Sequence, residues 1–307
     1  MSVLPAVLSP SSAAKSRRGE RLIEFFLRAA AAIGVVTTVG IVTVLIVEAS
    51  FFFLEVSPVD FFTGTRWSAS ILPYAFGVIP LITSTLMIAA IALVIAVPLG
   101  VLAAVWMSEF ASQRVRAVVK PVLELLAGIP TIVYGFFAIT VITPLLKATI
   151  LPDVGTFSAL SAGIVVGILV LPLVASLTED ALRSVPRSLR EGSYALGATR
   201  FETVRRVLLP AALSGIAAAV ILAMSRAVGE TMAVVLAAGT NPQFTLDPTK
   251  SVQTMTAFIV QISLGDTPTE SIQFKALFAV GATLFAMTFT LNLISAWIVR
   301  RYRNVYE

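Results

Sequence analysis

Long apolar runs separated by short polar or basic connections dominate this chain, and the runs have the length of membrane-crossing helices. A helix needs roughly 20 mostly apolar residues to cross about 30 Å of hydrocarbon. Six stretches qualify, at about residues 28–48, 78–107, 121–146, 157–177, 211–238 and 275–300. The first carries no charge between Arg28 and Glu48, and the second lies in a region free of charge from Trp67 to Ser108. The third holds Glu124 near its start, and the fifth holds Arg226 and Glu230. None shows the polar alternation of an outer-membrane barrel strand. The pattern therefore predicts an all-α membrane protein with six transmembrane helices in one domain over residues 21–307. Proline and glycine interrupt several runs, at Pro98-Leu99-Gly100, Gly128-Ile129-Pro130 and Pro172. Membrane helices tolerate such breaks where neighbours satisfy the freed backbone groups. Residues 1–20, rich in Ser, Ala and Pro, read as a disordered tail. The run after them has full spanning length and reads as a retained helix rather than a signal peptide.

Charge placement orients the spans. Most of the 22 Lys and Arg residues fall in four clusters: Lys15 to Arg28, Arg114 to Lys120, Arg183 to Arg206, and Arg300 to Arg303. With six spans all four clusters lie on one side, which the positive-inside rule makes cytoplasmic, together with both chain ends. Arg66, Lys147 and Lys250 are left on the other side, with Lys275 at a span boundary. The net charge of +5 is thus a topology signal and argues against a nucleic-acid partner. At 57% hydrophobic and 13% charged residues, the chain falls well below the roughly 25% charge of soluble domains. It has neither Cys nor His, which removes thiolate metal sites, the commonest general base and the usual pH switch. Enzyme chemistry has little to work with. No Gly-Lys-Ser or Gly-Lys-Thr occurs, so the usual phosphate-binding loop for ATP is absent.

The basic insert over residues 179–210 has internal order. Pro186 restricts Val185 and marks a helix start. Phe201, Val204 and Leu208 recur at helical spacing, and Thr199 with Glu202 has the form of a capping box. Gly197 lies between the two patterns, where a sharp bend needs a positive φ or close backbone approach. These features alone suit either a solvated basic loop or a helical hairpin. The spacing is Glu191, Gly197 six residues on, then Val207-Leu208-Leu209-Pro210. It resembles the EAA loop of ABC importer permeases, with Gly192 and Ser193 in place of two alanines and Val207 in place of isoleucine. The resemblance implies a type I importer permease fold whose hairpin docks on a cytoplasmic ATPase. Its candidate coupling residues are Glu191, Gly192, Ser193, Gly197, Ala198, Thr199, Leu209 and Pro210.

Further segments resemble the PstC-type subunits of phosphate-specific ABC importers. They are Phe61-Phe62-Thr63-Gly64-Thr65-Arg66-Trp67, Gly77-Val78-Ile79-Pro80-Leu81, the stretch Ala127 to Phe137, and Ser225-Arg226-Ala227-Val228-Gly229-Glu230-Thr231. The PstA-type sister subunit shares related versions of the last two, and the Thr-Gly-Thr-Arg-Trp loop favours PstC. The resemblance implies import of inorganic phosphate across a bacterial plasma membrane. The partners implied are a PstA-like permease, two PstB-like ATPase subunits and an extracytoplasmic PstS-like phosphate-binding protein. ATP and Mg then belong to the ATPase, and this chain is expected to bind no cofactor. A permease for another oxyanion, molybdate or sulfate, would share the architecture. A secondary transporter would be expected to show internal repeats, which are not visible, and would leave the EAA-like loop without a role.

Arg226 and Glu230 are four residues apart, on one face of a continuous helix and about one turn apart. A charge near mid-bilayer costs on the order of 2.5–3.5 kcal/mol and must face protein or water. Arg suits an oxyanion through permanent charge and bidentate geometry, and Glu230 would hold it and offset it. The same pair serves equally as a packing or interface salt bridge. Thr131 and Tyr134 can offer hydroxyls to a path at the Gly128–Pro130 break, or simply pack. Glu124 is placed to pair with Lys120, and Glu179 and Asp180 to offset nearby arginines. Phe61, Phe62, Trp67 and Tyr74 fit an interfacial belt or a receptor contact.

Overall fold

The computed structural model describes residues 10–302, with side chains described from residue 20 to residue 298. Helix α1 (Pro10–Glu55) opens with proline, whose fixed φ suits a first turn. At about 1.5 Å per residue its 46 residues run roughly 69 Å, over twice the hydrocarbon thickness. The expected disordered tail is corrected for residues 10–20, which are helical; residues 1–9 lie outside the described residues. Ala, Lys, Arg and Glu in Ser11–Glu20 are good helix formers, and extending an existing helix avoids the cost of nucleation.

After α1 the chain forms α2 (Pro58–Thr63) and a two-stranded antiparallel ribbon, β1 (Trp67–Ser68) with β2 (Ala75–Phe76), in which Trp67 faces Phe76. Gly64 and Gly77 meet back to back: a Cβ on Gly77 would lie 2.3 Å from the Gly64 carbonyl carbon. That contact closes the ribbon onto α2. Phe52, Phe61, Trp67, Phe76 and Phe258 then pack edge to face, a geometry favoured by the ring quadrupole. Phe61 and Trp67 are therefore core residues here, while Phe62 and Tyr74 remain exposed.

Helix α3 (Ile79–Val105) is extended by a π-helical segment, Trp106–Phe110. It runs parallel to α7 (Ala159–Ser184), the most buried helix of the bundle. Gly163 packs on Ile88 and Ile91, and Gly100 on Val174, the small-residue close approach that membrane helices use in place of a hydrophobic driving force. Between them come α4 (Gln113–Ala127), α5 (Thr131–Phe137), a π-helical segment Ala138–Ile142, and α6 (Thr143–Thr149). The expected third span, 121–146, is corrected: the apolar crossing is Thr131–Thr149. Gly128 and Pro130 end the preceding helix, and α4 carries Arg114, Arg116, Lys120 and Glu124 along a chain segment with no buried residue.

Beyond α7 lie α8 (Arg187–Ala195), α9 (Arg200–Thr203), a π-helical segment Val204–Leu208 and α10 (Leu209–Ala211). They lead into α11 (Leu213–Val228) and α12 (Met232–Ala238), then α13 (Met255–Leu264) and α14 (Ile272–Tyr302). Among the described residues five helices are long and apolar enough to cross a membrane unaided; a sixth crossing is counted when α11 is joined to Arg200–Ala211, from which it is bent by 70°. The expected fifth span, 211–238, is thus two helices broken at Gly229–Thr231 rather than one. The chain runs up and down so that the start of α1, the ends of α3 and α7, and the end of α14 share one face, here called the basic face. At the opposite face Lys275 pairs with Glu55, locking α14 to α1.

On the basic face the fully buried Glu179 of α7 holds α4. Its Oε2 accepts from Lys120 Nζ at 2.8 Å, and its Oε1 lies 3.0 Å from Arg116 Nη2 and 3.7 Å from Arg183 Nη1. The Arg116 contact is in ion-pair range without hydrogen-bond alignment. Lys120 also donates to Asp180 Oδ1 at 2.8 Å. These hydrogen bonds, to Asp180 and then Glu179, hold the Lys120 ammonium above its ordinary pKa. The expected Lys120–Glu124 pair does not form, because both partners of Lys120 lie on α7. Removing one member of a buried ion pair costs about 3–5 kcal/mol, whereas an exposed pair is worth about 0–1 kcal/mol. Glu179→Ala should therefore lower the thermal transition of the detergent-solubilised protein far more than Asp180→Ala, whose side chain is 58% exposed. Equal losses would refute this assignment.

Candidate coupling loop and transport path

The insert over 179–210 folds as a helical hairpin. Pro186 precedes α8, whose end is closed by a paired carbonyl cap: Gly197 N donates to Tyr194 O at 2.9 Å and Ala198 N to Ser193 O at 3.2 Å. The cap requires a left-handed residue, and Gly197 has φ +80°. A Cβ there would meet nothing within 4 Å, so conformation rather than crowding demands glycine. Gly192 is equally open at an ordinary φ, so alanine would fit there within this chain. Thr199 and Glu202 form the capping box expected of them, with Thr199 N donating to Glu202 Oε2 at 2.9 Å and Glu202 N to Thr199 Oγ1 at 3.3 Å. The Thr199 backbone N–H, then its hydroxyl, holds the Glu202 carboxyl below the ordinary range.

One side of the hairpin is anchored. Ser193 and Thr203 share a hydroxyl hydrogen bond of 2.9 Å between its arms. Val204 and Leu208 are buried against Ala104 of α3 and Leu182 and Val185 of the α7 end, with Leu209 partly buried on the same cluster. Arg190 clasps the base: its Nη2 donates to Leu182 O at 2.7 Å and lies 3.2 Å from Glu109 Oε1 at the end of α3. Pro210 stands at the 70° bend into α11. The other side is open. Leu196 is 90% exposed and Phe201 65% exposed, with Tyr194 and Glu191 also outward. Arg205 and Arg206 border that face. An anchored hairpin presenting apolar side chains inside a charged rim is built to be held by another surface.

The structure separates the two charges of the fifth span. Arg226 sits exposed in the last turn of α11, where a cation complements the helix end. The helix stops at Val228, so Glu230 lies in the break, only 8% exposed. Glu230 Oε1 accepts from Ala233 N at 3.4 Å and caps α12, and its carbonyl accepts from Thr256 Oγ1 at 2.9 Å. Arg226 and Glu230 form no ion pair with each other or with any other of the described residues. The expectation of one continuous face, with Glu230 holding Arg226, is corrected: the Gly229 turn ends the helical register that it assumed.

Tyr134 is buried in the bundle core, and its hydroxyl donates to Leu126 O at 2.8 Å across the Gly128–Pro130 break. It joins α4 to α5. Thr131, in the first turn of α5, is half-buried. Glu109, Arg190 and Glu179 tie the basic-face segments to the bundle, yet their partners lie far off in sequence, 59 residues away for Glu179 and Lys120. The one local signal was a carboxylate four residues from Arg183 inside an apolar helix.

Residues 96–304 match the family described as the binding-protein-dependent transport system inner membrane component. The chain is 36% identical over 293 residues to the probable ABC transporter permease protein YqgH of Bacillus subtilis (strain 168), covering 93% of this chain and 94% of that one. It is 35% identical over 284 residues to the phosphate transport system permease protein PstC 1 of Mycobacterium tuberculosis, covering 81% and 83%. The PstC of Mesorhizobium japonicum is 32% identical over 293 residues, covering 89% and 88%. Among solved structures, a bacterial alginate ABC transporter in complex with a pentasaccharide-bound periplasmic protein matches with a TM-score of 0.63 at 16% identity, over 92% of this chain and 96% of that one. An inward-facing MetNI methionine ABC transporter matches at 0.55 and 21% identity, over 74% and 94%. At such identities these structures speak for the fold alone, and they are type I importers. Permeases of this kind are non-catalytic, with the ATPase on a separate chain. The chain belongs to the binding-protein-dependent transport system inner membrane components: it is a multi-pass ABC importer permease subunit, similar over most of its length to PstC-type permeases.

Proposed function

We propose that this chain is the PstC-type half of a phosphate importer. It pairs with a PstA-like permease, two PstB-like ATPase subunits and a PstS-like receptor, and passes phosphate inward. Its PstC relatives, which are phosphate transport system permease proteins, support the substrate. The basic face is then the cytoplasmic one, in line with the positive-inside rule. The observation that carries the coupling role is the hairpin anchored by Val204, Leu208 and Arg190, with Leu196 and Phe201 turned outward. An ATPase holding that outer side moves the ends of α3 and α7 with it. The motion also enters α11 directly through Leu209 and Pro210, and α11 carries it about 20 Å to Arg226.

Arg226 supports the anion reading. It is an exposed guanidinium in the last turn of α11 with no ion pair among the described residues, so its counter-charge is left to come from elsewhere. A phosphate in passage meets that need and so does an acidic group of the partner permease. Conduction favours sites that release what they bind.

Two experiments on the complete complex in lipid vesicles test this. ATP hydrolysis should rise with phosphate-loaded receptor, and Glu191→Ala or Gly197→Val should abolish the rise while the complex still assembles. Stimulation retained in both variants would remove the hairpin from the coupling route. Stimulation by molybdate- or sulfate-loaded receptor instead would keep the architecture and change the substrate. Losing a charge-assisted hydrogen bond costs about 1.5–3 kcal/mol, so Arg226→Gln should lower phosphate uptake at least about tenfold. Arg226→Lys should fall between. Normal uptake by Arg226→Gln at normal protein level would end its role in the path.

A further inference from the structure

A second cationic feature lies on the opposite face from the hairpin. The ribbon β1–β2 and the segment after α12 enclose a pocket of about 400 Å³. Its polar lining includes Arg66, Ser68, Thr240, Asn241, Gln253 and Gln261, and it contains no Asp or Glu. The Arg66 side chain forms no ion pair or hydrogen bond among the described residues, and it is held at the rim by a backbone contact, Gly77 N donating to Arg66 O at 3.0 Å. Gln253 is buried and donates through Nε2 to Gln261 Oε1 at 2.5 Å, which leaves the Gln261 amide nitrogen free to donate. Trp67, also in the wall, keeps its indole Nε1 buried with no acceptor among the described residues.

One permanent cation, several amide and hydroxyl donors, and no carboxylate make a lining that accepts an oxyanion and repels nothing negative. The basic-face pocket beside α4 differs: there Arg116, Lys120 and Arg183 already pair with Glu179, and Lys120 also with Asp180, so none of its three cations is left without a carboxylate. The first pocket is also joined to the broken helix. Seven-residue α12, about 10 Å long, runs from the Glu230 break to the Thr240–Asn241 rim. Gln253 stands three residues before Thr256, which donates to the Glu230 carbonyl.

We infer that this pocket is an outer subsite for a small tetrahedral oxyanion, in which Arg66 and the Gln261 amide receive the anion before it reaches Arg226. The inference rests on the anion-import reading above. The site carries a single charge, on the exposed Arg66 side chain, so it holds its ligand weakly and passes it on, as a staging site must.

The test uses the complete complex in vesicles with three variants of this chain, Arg66→Gln, Arg66→Lys and Gln261→Leu. Uptake of labelled phosphate is measured at saturating loaded receptor, and receptor binding to the complex is measured separately. Arg66→Gln should lower uptake about tenfold with receptor binding within about twofold of wild type. Arg66→Lys should restore much of the loss, and Gln261→Leu should give a smaller fall and serve if Arg66→Gln fails to assemble. Unchanged uptake in Arg66→Gln and Gln261→Leu would overturn the inference. So would a loss of receptor binding in step with uptake, which would make Arg66 a docking contact. A receptor-free arm with free phosphate identifies the source: dependence on Arg66 in both arms supports a site open to outside phosphate, and dependence only with receptor supports a hand-over site. If the wild-type complex carries sulfate or molybdate in place of phosphate and Arg66→Gln impairs that uptake, the phosphate reading fails and the subsite stands.

Discussion

Ion pairs at the basic ends of α3 and α7 join the hairpin and α4 to the crossing helices as one unit. Glu109 reaches Arg190, and Glu179 reaches Arg116 and Lys120. Each contact spans a junction where an apolar helix meets a polar segment. Apolar packing of Val204 and Leu208 on Leu182 and Val185 covers one side of the hairpin junction but cannot hold the polar side. A buried charge pair can, since breaking it leaves an uncompensated ion in a poor solvent. The hairpin consequently follows the helix ends instead of swinging on a loose loop, and Ser193 with Thr203 keeps its two arms in register.

The break at Gly229–Thr231 obeys the complementary rule. Non-helical backbone at membrane depth persists only where protein or a water-filled cavity satisfies it. Here Glu230 caps the following helix with its carboxylate, and Thr256 donates to the Glu230 carbonyl from the start of α13. Thr254 and Thr85 extend the polar seam, with Met255 N donating to Thr85 Oγ1 at 3.1 Å. A line of hydroxyls thus runs from α3 to the break inside an otherwise apolar bundle.

Much of this was legible in the residues because it depends on local rules. Apolar run length marked the crossings, Pro186 marked the hairpin's first helix, Thr199 with Glu202 marked its second, and Gly197 marked the turn. Each of those is decided within a few residues by capping, φ restriction or hydrophobic period. The misplacements share a cause. Hydropathy does not tell an apolar surface helix from a crossing, so it merges Pro121–Ala127 with the span that begins at Thr131. It is also blind to a turn whose backbone is satisfied from elsewhere, so helical spacing sets Arg226 and Glu230 on one face. Tyr134 carried a hydroxyl that suited a path, and only the Leu126 carbonyl across the break shows where that hydroxyl goes. Long-range partners such as Glu179 with Lys120 leave no periodic trace.

The antiparallel pairing of α1 with α14 has a consequence for how the molecule is made. Glu55 and Lys275, which close that pair, are 220 residues apart. At roughly 5–20 residues per second the ribosome needs some tens of seconds to go from one to the other. Throughout that interval α1 rests in lipid without its main helical companion, its apolar flank covered by acyl chains alone. The long apolar stretch of α1 allows it to wait there, and the final packing of the bundle becomes a late event in biosynthesis.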